Sequence, residues 1–150
     1  MPHITYKNTY SDKPTHIVTK AVVHCNGKHM QVNALWDTGA SHTHITEDVI
    51  NAFELTSHGE INTLSHTSES ISQKYKIDVE LSNLIIVNDI IALSTPNILY
   101  KGDEVGLLVG MDIIRLGNFC IDNTGENTIF TFTLLSDEID NDILIETNLF

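Results

Sequence analysis

The stretch with the strongest chemical character is Ala34-Leu35-Trp36-Asp37-Thr38-Gly39-Ala40-Ser41. An apolar run leads directly into a carboxylate, a hydroxyl and a glycine. Asp37 is carried to the edge of a core, where a carboxylate is costly unless it is hydrogen-bonded or paired. Thr38 offers a hydroxyl, and Gly39 lets backbone N–H groups approach closely. This combination suits a carboxylate retained for chemistry. The bland alternative is a surface turn closed by an Asx hydrogen bond.

The elements that must position Asp37 follow from pattern. Residues 16–24 are β-branched and partly alternating, Asn26-Gly27 follows, and a second alternating run extends from Met30 to Trp36. Two strands joined through Asn-Gly predict a hairpin whose second strand delivers Asp37. His42-Thr43-His44-Ile45 is short and strand-like. Thr46 to Phe53 predicts a short helix, with Thr46 as N-cap, acids in the first turn, and Val49, Ile50 and Phe53 on one face. Glu60–Leu64 and Tyr75–Leu81 predict a long hairpin with a polar tip at Ser65-His66-Thr67-Ser68-Glu69-Ser70. Leu84 to Leu93 reads as two short strands or one bulged strand. Turns are expected at Thr95-Pro96-Asn97 and Lys101-Gly102-Asp103-Glu104. Val105 to Gly110 is a buried strand ending at glycine, and Met111 to Leu116 a short helix closed by Gly117. Phe119–Asp122 and Asn127–Leu135 are strands around an Asn123-Thr124-Gly125 turn. Mostly short strands with one or two short helices predict an all-β fold, a small closed β-barrel.

The 150 residues fit one domain. Residues 1–14 are expected to be a flexible arm and 15–136 the folded domain. Residues 137–150 form an acidic tail with five acids and no base, a candidate dimer strand through Ile143-Leu144-Ile145. The net charge of −12 argues against nucleic acid or an anionic membrane as partner. No apolar run approaches the roughly 20 residues of a membrane span, and the N-terminus lacks the pattern of a secretory signal. Cys25 and Cys120 are read as reduced, half-buried strand residues, which places the protein in the cytoplasm. Trp36 is read as core packing. His42 and His44, with His24 or His29, raise the idea of a metal site, but no cysteine or carboxylate stands beside them at ligand spacing. Ordinary strand residues are the preferred reading, with no metal and no cofactor expected.

A hairpin ending in Asp-Thr-Gly-Ala, a long exposed hairpin, and Leu108-Val109-Gly110 leading into a short helix occur in that order, with Gly110 lying 73 positions after Asp37. In this the chain resembles the retropepsin family of aspartic proteases, in particular its single-domain bacterial members. The resemblance runs from about His16 to Leu135. Its strongest pieces are Leu35 to Ser41 and Leu107 to Phe119.

The resemblance implies a barrel of the retropepsin (acid protease) type and an aspartic endopeptidase active as a homodimer. One Asp-Thr-Gly per chain means that two copies of Asp37 must meet, because a lone aspartate cannot serve as both acid and base. Thr38 would brace the two loops across the twofold axis. Gly39 would admit substrate to the dyad, and Ala40 and Ser41 would line the site. His66, Thr67 and Ser68 would belong to a flap over a peptide or protein substrate, and Gly110 would pack beneath the active-site loop. Three features depart from the retroviral pattern: a flap tip without glycines, Met111 in place of an arginine, and the acidic tail. The alternative function is a catalytically silent peptide-binding module.

Overall fold

The computed structural model describes residues 3–64, 69–82, 85–135 and 143–145. The hairpin that carries Asp37 is built from β2 (Ile17–Cys25) and β3 (Lys28–Trp36). Ile17, Thr19, Ala21 and Val23 of β2 point inward, as do Val32, Ala34 and Trp36 of β3. This is the period-two burial that an alternating sequence dictates. Asn26 and Gly27 both have positive φ, at 52° and 76°, the backbone of a type I′ turn.

Six strands close a mixed barrel. The order runs β7 (Ile85–Thr95), β4 (His44–Thr46), β10 (Leu107–Val109), β3, β2 and β6 (Glu69–Ser82), and β6 pairs back onto β7. β10 lies parallel to β3 and antiparallel to β4, and β4 lies parallel to β7. β5 (Glu60–Leu64) pairs with β6 to make the expected hairpin. Its tip, with His66, Thr67 and Ser68, lies outside the described residues. Of the two readings of 84–93, the bulged single strand is the one observed. The β6–β7 register shifts between Ile77 and Val79, and Asp89, at φ 57°, donates its N–H to Asp78 Oδ1 at 2.8 Å.

A second sheet of β1 (His3–Tyr10), β12 (Thr128–Leu135) and β11 (Asn118–Asp122) covers the barrel. β1 corrects the expectation of a flexible arm over residues 1–14. Ile4, Tyr6, Asn8 and Tyr10 alternate with exposed neighbours and are half-buried, and all of β1 is in register with β12. Polar residues on the outer face mask this period in the sequence. Phe119, Phe130 and Phe132 meet Trp36, with ring centroids 6.0, 4.9 and 5.2 Å away. Aromatic contacts of this kind join the two sheets.

Three local expectations change. Asp103 and Glu104 belong to a strand, β9 (Asp103–Val105), paired with β8 (Ile98–Tyr100), so the turn narrows to Lys101-Gly102 at φ 51° and 82°. Thr46 precedes α1 (Glu47–Phe53) but makes no side-chain cap. It is buried, and Asn97 Oδ1 instead accepts the Asp48 N–H at 3.0 Å. Cys120 is exposed rather than half-buried, because the outer face of β11 is uncovered. The tail segment Ile143–Ile145 is strand β13, paired with Ile85–Val87 of its own chain. No described helix is long and apolar enough to cross a membrane.

Candidate active site

Asp37 leaves β3 directly after Trp36, which is 6% exposed and donates its indole N–H to the buried Thr19 Oγ1 at 2.9 Å. The residue before the carboxylate is therefore held by both packing and a buried hydrogen bond. The Asp37 N–H continues the pairing onto β10 by bonding the Val109 carbonyl at 2.9 Å. With its backbone fixed on both sides, the Asp37 side chain emerges half-buried at the barrel edge.

The loop then turns tightly. The Gly39 N–H donates to Asp37 Oδ1 at 2.8 Å, and the Ala40 N–H bonds the Asp37 carbonyl at 3.2 Å. Gly39 is not needed for a left-handed backbone here. A Cβ on it would lie 3.2 Å from Asp37 Oδ1, so its value is close approach. Thr38 and Ser41 are exposed, and Ala40 is half-buried. The Thr38 side chain makes no hydrogen bond among the described residues, whereas Ser41 Oγ meets His42 Nδ1 at 3.1 Å.

A second layer lies beneath this loop. The Ala40 carbonyl accepts the Met111 N–H at 2.7 Å, at the start of α2 (Met111–Ile114). Gly110 is pressed against the loop backbone. A Cβ there would lie far inside contact distance of the His42 carbonyl and 2.9 Å from the Ala40 oxygen. The Gly110 N–H bonds Thr43 Oγ1 at 3.3 Å. Asp112 ties the layer together. Its Oδ2 accepts the Thr43 N–H at 2.9 Å, and its Oδ1 accepts the Thr43 hydroxyl at 2.8 Å and the Ile113 N–H at 2.9 Å. The sequence assigns no role to Asp112 and places Thr43 only in a short strand-like run. No local signal marks this pair, because the two residues stand 69 positions apart.

Asp37 to Ser41 and Gly110 thus come together. His24 and His29 do not join them. They face each other, with rings 5.8 Å apart, at the turn end of the β2–β3 hairpin. His29 lies eight positions before Asp37 along the strand, about 25 Å at the usual rise. His42 and His44 lie close to Asp37, but no group of three or more His, Cys, Asp or Glu positioned for a metal ion occurs among the described residues. His44 Nδ1 meets the His42 carbonyl at 2.9 Å. Burial holds the His44 pKa below its ordinary value, against the smaller opposing pulls of that bond and of Asp112 and Asp37. Arg115, the nearest arginine after the position that Met111 holds in place of one, is exposed.

No protein-family model matches the chain, and no curated protein sequence does. Solved structures do match. A retropepsin-like aspartic protease from Rickettsia conorii is 16% identical, with 89% of this chain and 95% of that one covered at a TM-score of 0.57. The retroviral protease-like domain of Ddi1 from Leishmania major is 12% identical over 75% of this chain and 93% of that one, at a TM-score of 0.41. The six-strand barrel that ends one strand in Asp37, together with the likeness to the Rickettsia structure over most of both chains, gives this protein the retropepsin-like fold.

Proposed function

We propose that the protein is an aspartic endopeptidase that works as a homodimer, with one Asp37 from each subunit. The observation that carries this reading is the Asp37-Thr38-Gly39 loop. It is clamped from below by Val109, Gly110 and Met111, yet leaves the Asp37 carboxylate half-exposed and the Thr38 side chain facing outward. A loop built only to turn the chain has no use for such a rigid platform under a single carboxylate.

In the dimer, two carboxylates about 3 Å apart cannot both ionise, so they share one proton. The ionised member takes a proton from water as that water attacks the scissile carbonyl, and the protonated member polarises the carbonyl oxygen. The pair titrates as a unit. Thr38 braces the two loops across the axis, Gly39 admits the substrate backbone, and Ala40 and Ser41 border the reacting bond. The 65–70 hairpin tip, with His66, Thr67 and Ser68, closes over a peptide that binds as an added strand. The cytoplasm is the proposed compartment, where Cys25 and Cys120 stay reduced.

The test is cleavage of a mixed peptide library between about pH 4 and 7 by wild type and Asp37→Asn, with solution mass measured for both. Cleavage by dimeric wild type that disappears in a dimeric mutant supports the proposal. Activity surviving Asp37→Asn, or a strict monomer at every salt concentration, overturns it. Tight peptide binding without cleavage by wild type would make the protein a peptide-binding module.

A further inference from the structure

The outer face of the barrel beside Asp37 is lined by one row of side chains. Strand register places Val18 opposite Leu35, Leu35 beside Leu108, Leu108 opposite His44, and His44 beside Leu93. Val18, Leu35, Leu108 and His44 are all half-buried and Leu93, at the end of the row, is buried, while the chain neighbours Ala34, Trp36, Leu107, Val109 and Ile45 are buried in the core. Val18, Leu35, Leu108 and His44 therefore lie on the outer side of the sheet. Leu35 is two residues before Asp37, and strand alternation puts both on that side. The surface next to the carboxylate is thus an aliphatic wall interrupted by a single histidine.

The state of this histidine can be read from its surroundings. Its Nδ1–H is bonded to the His42 carbonyl. The low pKa caused by burial keeps the ring neutral at pH 7, so Nε2 carries a lone pair. Nε2 has no protein partner among the described residues, and it is not buried, since the only buried unpaired side-chain polar atom there is Tyr100 Oη. The neighbouring charged or titratable groups are Asp37, Asp112 and His42. Two of these are carboxylates, which disfavour an acidic side chain. An amide suits the site because its N–H can donate to Nε2 and its oxygen can accept if the ring becomes protonated.

We propose that His44 is a specificity-determining residue that selects an asparagine or glutamine side chain at one substrate position close to the scissile bond, within an otherwise aliphatic recognition sequence. This rests on the reading of the Asp37 face as a peptide groove. An aliphatic side chain at that position would leave Nε2 desolvated and unpaired, which is the physical basis of the selection.

The test profiles one peptide library in two ways: cleavage by the otherwise unmodified protein, and retention by the Asp37→Asn protein. Each is repeated with His44→Leu and His44→Gln. The expected wild-type profile favours Asn or Gln over Leu at one position by roughly fivefold, the worth of one net hydrogen bond. His44→Leu should reverse that preference at that position alone, and His44→Gln should restore it. An unchanged profile in folded His44→Leu protein overturns the proposal. If wild type cuts nothing, the protease reading fails, and the retention profiles still decide the role of His44. Absence of both cleavage and retention overturns both.

Discussion

Asp37 and Asp112 follow two strands that lie side by side, and they meet opposite fates. Asp112 has both oxygens occupied by protein donors, from Thr43 and Ile113. Asp37 has one oxygen engaged by its own loop, through the Gly39 N–H. The first is spent on holding backbone in place. The second keeps an oxygen without a protein donor among the described residues, as the proposed dyad requires. Residue type and half-burial are the same for both, so neither separates the two carboxylates. The number of protein donors does.

The contrast can be broken most sharply at Asp37. Asp37→Asn should lower peptide cleavage by at least about a thousandfold, the scale of lost acid–base catalysis. Its urea midpoint should stay near that of wild type, because the amide oxygen can still accept the Gly39 N–H. Gly110→Ala attacks the platform the two loops share. The new Cβ would collide with the His42 and Ala40 carbonyls, which are backbone and cannot rotate away. A loss of about 3 kcal/mol in chemical denaturation is expected, the upper range for overpacking. Asp112→Ala should cost about 2 kcal/mol, because the Thr43 N–H and hydroxyl lose their acceptor. Cleavage should fall with it through a misplaced Asp37 loop, and Asp112→Asn should recover part of both. An Asp112→Ala protein as stable as wild type would erase the distinction drawn between the two aspartates.

The smallest effect concerns His44. Its folded-state pKa lies below the unfolded value near 6.5. The unfolded chain therefore binds more protons in the window just below 6.5, and stability rises with pH there. The contribution is fully present above the unfolded pKa and is lost as pH falls toward the folded one. Denaturation midpoints measured between pH 7 and 5 should drop less steeply in His44→Leu than in wild type. The slope will be shallow, because His44 is only half-buried and solvent screens it.

Much of the frame could be read before folding. The Asn26-Gly27 hairpin and the β5–β6 hairpin carry local signals, namely a turn tolerant of positive φ and a period of two, and the strand into Gly110 carries a short continuous apolar run. β1 escaped because only one of its faces is covered, by aromatic residues spaced among polar ones. The Thr46 cap escaped because Asn97, 49 residues from Asp48, does the work instead. Among candidate site residues, Asp37 was legible from its apolar lead-in and the Thr-Gly that follows. Thr43 and Asp112 were not, since neither belongs to a motif.

The sequence by itself determined that one carboxylate per chain would be delivered from a strand into a tight turn, because backbone preferences and hydrophobic alternation act over a few residues. Only the tertiary structure decided which groups lie beneath and beside that carboxylate. Parallel pairing of β3 with β10 brings Val109 and Gly110 to Asp37, and β4 sets His44 into the same row. Such neighbours are chosen by barrel closure and strand register, which join residues some 70 positions apart (Asp112 and Thr43 among them) and leave no trace in local sequence.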